Sequence, residues 1–169
     1  DLSEKGNGKS YVMNAEMPMS SKRSTYSILR DNPEFSAFFA LLGGSSLMSE
    51  KMSGRYTCVD KNINLFDAYN YTVYVPTNEA IQQLHDEGLL PTWSDYESLT
   101  VEDFGGDATA LKNAQSKVAG RITDFLRYHI QDNALFIGGE PINGGKYETS
   151  KMNGATKRFY SIEVTADDN

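Results

Sequence analysis

Histidine and cysteine supply many of the metal ligands and catalytic bases of proteins, and this chain has few of them. Its two histidines, His85 and His129, are far apart in the sequence, and Cys58 is the only cysteine. A zinc site needs several ligands in register, and neither histidine has a second ligand at that spacing. No G-x-S-x-G sequence marks a nucleophilic serine. We therefore predict no catalytic residue, no cofactor and no metal site, with Cys58 as a small buried thiol.

Aromatic side chains are the other residues that could bind a ligand, by stacking on sugar rings or by anchoring a protein partner. Trp93 and Tyr96 lie in a polar insertion, residues 91–106, that follows a predicted helix. Local packing under the insertion explains these two rings equally well. Both interpretations of Trp93 and Tyr96 therefore stay open on the sequence alone.

Composition limits the partners of the chain. The 169 residues are enough for one domain with a hydrophobic core, and the formal net charge is −7. Nucleic acids and anionic membranes favour clustered Lys and Arg, and the sequence has no basic run. No apolar run is long enough to span a bilayer. We therefore expect neither nucleic acid as a partner nor membrane insertion by this segment.

The spacing of apolar residues predicts helices first and short strands last. A helix is predicted to start at Asn32-Pro33, because Asn is a good N-cap and Pro fits the first helical position. The longest helix is predicted over about 107–129, from an apolar stripe that includes His129. Strands are predicted over residues 64–66, 134–137, 147–152 and 158–165. This order indicates an α+β fold, with Asn153-Gly154 as a tight hairpin turn of positive φ.

The sequence YTVYVPTNEAI, residues 71–81, predicts a strand that passes directly into a helix. Residues 71–75 have strand composition, and Pro76 then removes a backbone donor while fixing a helix-compatible φ. The hydroxyl of Thr77 can accept an N–H group of the first helical turn. Asn78 and Glu79 place polar and negative groups beside the positive end of the helix dipole. We interpret this junction as a rigid structural corner rather than a catalytic loop.

Four stretches of the chain resemble motifs of the fasciclin-type (FAS1) domain family. TVYVPTNEAI is similar to its first signature, a strand of the form T-V-F-A-P-T-N-E-A-F that leads into a helix. Residues 26–42 resemble its opening helical segment, 122–130 its long helix ending in a Tyr-His motif, and 146–164 its Thr-containing hairpin. The resemblance covers residues 24–165 and implies a FAS1-like fold, with a helical layer packed on a small twisted β-sheet wedge. Its fold-signature residues here are Thr72, Val73, Pro76, Thr77 and Asn78.

The ends of the chain depart from the FAS1 pattern. FAS1 domains close with a second signature strand of the form N-G-x-I-H-V-I-D-x-x-L-x-P, whereas GNGKSYVMNAEMP, residues 6–18, resembles that strand at the opposite end. We therefore expect residues 1–23 to be the tail strand of a preceding FAS1 repeat, and residues 24–169 to be a FAS1-like domain that lacks its closing strand. The alternative is that residues 9–13 fill the vacant position in their own sheet or in a neighbour's.

The resemblance implies contact rather than catalysis. It implies an extracellular or cell-surface module for binding or adhesion, with a protein or glycan as ligand and an adjacent FAS1 repeat. Because the Tyr-His segment of the family has been proposed to contact adhesion receptors, Tyr128 and His129 join Trp93 and Tyr96 as expected ligand-contact residues. The alternative for His129 is a helix-end histidine bonded to a backbone group. The composition suits a bacterial outer-membrane lipoprotein whose anchor lies outside this segment.

Two other functions are kept as alternatives. A glycan-processing enzyme would need two carboxylates that face one cleft, one of them with a raised pKa. A purely structural spacer in a tandem array would carry no exposed aromatic patch.

Overall fold

The computed structural model describes residues 25–53, 56–63, 71–132, 134–135 and 145–165. Residues 1–23 lie outside the described part, and so does the strand expected within them. The predicted strand at 64–66 and the side chain of Cys58 also lie outside it. In the described residues, helices accompany small antiparallel sheets, which confirms the predicted α+β class.

Five α-helices and two 3-10 turns occur in the described residues. The helices are α1 (Thr25–Asp31), α2 (Ser36–Gly43), α3 (Asn78–Asp86), α4 (Trp93–Ser98) and α5 (Ala108–Tyr128), and the 3-10 turns are Pro33–Phe35 and Glu102–Phe104. Asn32 is an N-cap as predicted, but it caps the 3-10 turn that precedes α2. Asp107 caps α5 by accepting the N–H groups of Thr109 and Ala110, which confirms the predicted long helix. None of the described helices is long and apolar enough to cross a membrane.

The described residues also contain six strands, which form two antiparallel sheets. One sheet pairs β1 (Met48–Ser53) with β2 (Tyr56–Ile63), and the other has the order β3 (Tyr71–Val73), β4 (Ile130–Asp132), β5 (Gly145–Met152) and β6 (Phe159–Val164). The β1–β2 hairpin was not predicted, because its polar sequence lacks the alternating apolar pattern of a half-buried strand. Residues 134 and 135 of the strand predicted at 134–137 are not in a strand, and residues 136–137 lie outside the described part. β4 begins at Ile130, directly after α5, because Ile130 pairs with Val73 of β3.

The strand-to-helix junction is present as predicted. β3 ends at Val73, two residues earlier than the sequence suggested, and the N–H of Tyr74 then donates to the carbonyl of His129. Thr77 has extended backbone angles, and its hydroxyl accepts the N–H of Ala80 at 3.4 Å. Pro76 therefore separates a paired strand from a side-chain-capped helix.

The other signature residues anchor this junction in the fold. Val73 packs against the buried core. Thr72 accepts the N–H of Leu135 on its hydroxyl at 2.9 Å, which ties β3 to the chain that follows β4.

The core lies between α5, α2 and the start of the four-stranded sheet. Its fully buried side chains include Phe38 and Leu42 from α2, Ile122 and Leu126 from α5, and Ile130 from β4. The helix residues among them belong to the apolar faces expected from helical spacing.

The turn between β5 and β6 differs from the prediction. Asn153-Gly154 was expected to form a two-residue turn with positive φ at both positions, but the residue with positive φ in this loop is Lys157, at 57°. The carbonyl oxygen of the Asn153 side chain instead accepts the N–H groups of Ala155 and Thr156. The result is a longer loop, because Asn153 supplies its own side-chain turn.

Candidate functional site

Trp93 is the first residue of α4 and is held against the end of α2. Its indole N–H donates to the carbonyl of Leu41 at 2.8 Å, and its ring lies 6.0 Å from that of Tyr96, edge to face. A Cβ atom added to Gly44 would lie 2.5 Å from the indole nitrogen, so the glycine makes room for the ring. Trp93 and Tyr96 are both half-buried, which gives them a packing role as well as an accessible edge.

An open apolar groove lies beside Trp93, between α2, α3 and the start of α4. Its volume is about 450 Å³. Buried Leu41 and Ile81 lie beneath it, and the small side chains of Ala37 and Ala40 keep its α2 wall low. Trp93 is part of its lining. We call this feature the helical groove.

Asn78 holds the two long walls of the groove together. Its Oδ1 accepts the N–H of Ala37 at 2.9 Å, and its Nδ2 donates to the carbonyl of Pro33 at 2.8 Å. These bonds join the start of α3 to the start of α2. The groove is therefore braced by hydrogen bonds without any ligand.

A histidine–aspartate pair closes one end of the groove. Nε2 of His85 lies 3.1 Å from Oδ2 of Asp95, and the same oxygen accepts the backbone N–H and the hydroxyl of Thr92. The two bonds from Thr92 hold the pKa of Asp95 below its ordinary value, with a smaller contribution from His85. Asp95 thus stays ionised and belongs to a capping box at the start of α4.

Sequence reasoning did not bring His85 and Asp95 together. The one available signal was the Thr92-x-x-Asp95 spacing, which is typical of a capping box. The described residues contain no group of three or more His, Cys, Asp or Glu side chains that could hold a metal ion. The contacts of Asp95 with His85 and Thr92 brace this end of the groove.

Tyr128 and His129 have different surroundings although they are neighbours. His129 is half-buried, its ring lies 4.2 Å from that of Phe125, and its Nδ1 donates to the carbonyl of Phe125 at 2.8 Å. Burial lowers the pKa of His129, and this hydrogen bond opposes the shift in part. The Tyr128 side chain, by contrast, is 45% exposed. Of the two residues, Tyr128 is the one with a surface suited to direct contact.

Tyr128 belongs to a group of exposed apolar side chains at the end of the β5–β6 hairpin. Its ring meets that of Tyr160 at 6.5 Å, edge to face. Phe159, the residue before Tyr160, lies directly opposite Met152 across the two strands. All four side chains are 40–45% exposed. We call Tyr128, Met152, Phe159 and Tyr160 the hairpin patch; Trp93 and Tyr96 lie in the groove region instead.

No protein-family model, curated protein or solved structure matches this chain. The FAS1 resemblance therefore stays a prediction made from the motifs.

Proposed function

We propose that this chain is a non-catalytic binding module with a FAS1-like fold that attaches to a protein ligand at the cell surface. The observation that carries the proposal is the hairpin patch. Exposed apolar side chains that meet in pairs, Tyr128 with Tyr160 and Met152 with Phe159, are typical of interaction sites, whereas singly scattered ones need no explanation. The junction through Pro76 and Thr77 supports the FAS1-like fold behind it.

The hairpin patch consists of two exposed apolar pairs on opposite faces of β6, Tyr128 with Tyr160 and Met152 with Phe159. Successive residues of a strand point to opposite faces, so Phe159 and Tyr160 flank the strand from two sides. The Tyr160 hydroxyl accepts a hydrogen bond from the amide of Asn153 at 3.1 Å, which orients its ring. Tyrosines that are held in place at low entropic cost are common energetic centres of protein interfaces.

The carboxylates favour binding over the alternative of a two-carboxylate enzyme. A catalytic carboxylic acid needs a pKa above its ordinary value. The pKa of Asp95 and that of Asp103 are instead lowered, because the backbone N–H and hydroxyl of Thr92 and of Thr100, respectively, stabilise the charged forms. Asp95 belongs to the capping box of α4, and Asp103 accepts the N–H and the hydroxyl of Thr100 just before the Glu102–Phe104 turn.

The proposed cellular location and neighbouring domain follow from the FAS1 resemblance. The module is extracellular, next to a further FAS1 repeat, in a bacterial outer-membrane lipoprotein. Immunolabelling of intact cells, before and after permeabilisation, measures this directly. Labelling that requires permeabilised cells would contradict the extracellular location. It would not bear on the binding site, which the next experiment tests.

The binding proposal is tested with purified extracellular-matrix proteins and a glycan array as probes. We expect the whole chain to bind a matrix protein, and the double variant Tyr128→Ser/Tyr160→Ser to bind it at least about 30-fold more weakly, since truncating a central aromatic contact typically costs about 2 kcal/mol or more. The matched control is Ile28→Ser/Leu89→Ser, which removes two apolar side chains that are at least as exposed but lie outside the patch.

Three results would count against the proposal. The two double variants could bind equally well, which would remove the patch from the interface. The chain could bind glycans alone, which would replace the protein ligand by a sugar. It could also bind neither probe, which would leave the structural spacer as the better description.

A further inference from the structure

The charged residues of the chain segment that forms much of the helical groove are all acidic. No Lys or Arg occurs in residues 71–111, whereas this stretch contains eight acidic residues. Three of them, Glu79, Asp86 and Glu87, lie on the exposed face of α3 beside the groove, and Gln82 lines both that face and the groove itself. The apolar groove and the acidic face of α3 therefore form one continuous surface.

In the described part of the chain, the Arg and His side chains beside this surface already have partners within the fold. Arg121 of α5 donates to the carbonyls of Gly88 and Leu89, just beyond the end of α3. His85 faces Asp95 at 3.1 Å. Glu79, Asp86 and Glu87 are exposed and can attract an external cation, most strongly at low ionic strength, while Nδ1 of His85 lies 4.0 Å from Oδ1 of Asp86.

The polar groups in the groove leave few hydrogen bonds for a ligand. Asn78 bonds to α2, and the Trp93 indole bonds to Leu41. Gln82 donates to Asp86 at 2.7 Å. A ligand in this groove would gain apolar contact on Leu41, Ile81 and Trp93, and charge attraction along α3, rather than a pattern of specific hydrogen bonds.

We propose that the helical groove binds a basic amphipathic peptide segment of a partner protein. An apolar side chain of the segment occupies the space above Leu41 and Ile81, against Trp93. Lys or Arg side chains of the same segment lie along α3, near Glu79 and Asp86. Amphipathic helices bind apolar grooves in this way through residues spaced three or four apart, and complementary charge adds selectivity for the partner.

Trp93 provides a direct measurement, because it is the only tryptophan of the chain and lines the groove. The probe is a Trp-free synthetic peptide of about 14 residues with Leu at helical spacing and Lys elsewhere. We expect this Leu/Lys peptide to shift the emission of Trp93 saturably below about 1 mM. A Ser/Lys peptide, which lacks the apolar face, and a Leu/Glu peptide, which reverses the charge, are expected to leave the emission unchanged.

Paired variants locate the binding on the groove. Ala40→Phe fills the open wall and is expected to weaken binding at least about tenfold, whereas Ala80→Phe, at another exposed alanine that does not line the groove, leaves it unchanged. Glu79→Lys/Asp86→Lys is expected to weaken it about tenfold. Glu148→Lys/Glu163→Lys makes the same change in net charge on the β5–β6 sheet and tests for non-specific attraction.

The proposal is overturned if the Leu/Lys peptide leaves Trp93 unchanged, or if either control peptide binds equally well. It is also overturned if both charge-reversed variants weaken binding to the same extent. If the emission of Trp93 shifts with the concentration of the protein alone, without peptide, the groove would bind a second copy of this chain instead. Thermal unfolding of each variant confirms that its fold is intact. These outcomes are independent of the matrix-protein test, because none of the groove variants alters the hairpin patch.

Discussion

Asn78 caps a helix to which it does not belong, and replacing it with alanine tests how the helical groove is held together. Its side chain accepts the N–H of Ala37 and donates to the carbonyl of Pro33 and to the hydroxyl of Ser36. Phe35, the residue at the N-cap position of α2, makes no side-chain cap. Asn78→Ala therefore removes a cap from α2 while α3 keeps its own cap at Thr77.

The expected loss of stability follows from the bonds that are broken. The cap on the Ala37 N–H contributes about 1 kcal/mol. The two exposed bonds from Nδ2, to the Pro33 carbonyl and to the Ser36 hydroxyl, contribute about 0.5 kcal/mol each, since the Pro33 carbonyl keeps the N–H of Ser36 as a donor. The better helix propensity of alanine returns about 0.5 kcal/mol. We expect Asn78→Ala to lower the free energy of unfolding by about 1.5 kcal/mol. Thr77→Ala, which removes one local bond of 3.4 Å, should cost about 1 kcal/mol.

The assay is urea unfolding followed by far-UV circular dichroism and by Trp93 fluorescence, with Asn113→Ala as the control at an exposed position of α5. A change of about 1.5 kcal/mol also lowers the Tm by about 3–6 °C for a chain of this size. Amide hydrogen exchange at Ala37 should accelerate in Asn78→Ala and stay unchanged in Thr77→Ala. If Asn78→Ala costs no more than Thr77→Ala and Ala37 keeps its protection, the bridge does not hold α2 and the reasoning fails.

Two further predictions concern His129 and Gly44. Burial lowers the folded-state pKa of His129, so its contribution to stability is present above the unfolded-state pKa of about 6.5 and is lost as the pH falls from there through the folded-state pKa. Between pH 7 and pH 5, the free energy of unfolding should therefore fall less in His129→Gln than in the original chain. An equal fall in both would contradict this. Gly44→Ala should lower the free energy of unfolding by about 1–3 kcal/mol and red-shift Trp93 emission, because the new methyl group displaces the indole. Gly43→Ala, with open space around the glycine, should be neutral or stabilising. Similar effects of the two variants would show that Gly44 does not make room for the Trp93 ring.

Local sequence signals were sufficient wherever neighbouring residues determine the conformation. The Thr77 cap, the long helix α5 and the strands β5 and β6 were predicted from capping residues and apolar spacing, and the structure has them. A cap or an apolar face is encoded within about one or two turns of chain, so it can be recognised without the rest of the fold.

The misses occur where residues distant in the sequence decide the outcome. β4 starts at Ile130 because β3 offers a partner there. The β1–β2 hairpin is a different case, since its strands are close in the sequence and pair although they are polar. Strand pairing depends on the partner as much as on the strand itself. Helical spacing likewise left the exposure of Tyr128 and His129 open, and the neighbours Phe125 and Tyr160 determine their surroundings.

The sequence by itself determined that this protein is an acidic α+β domain with a capped strand-to-helix corner, since composition, capping and apolar spacing are local properties. Only the tertiary structure decided that α2 and α3 form an apolar groove beside Trp93, and that Tyr128 meets Tyr160 at the surface. The physical reason is that a groove or a patch exists only between elements. Its lining comes from residues up to about 57 positions apart, Ala37 and Ser94 among them, and no local pattern records which of them the fold brings together.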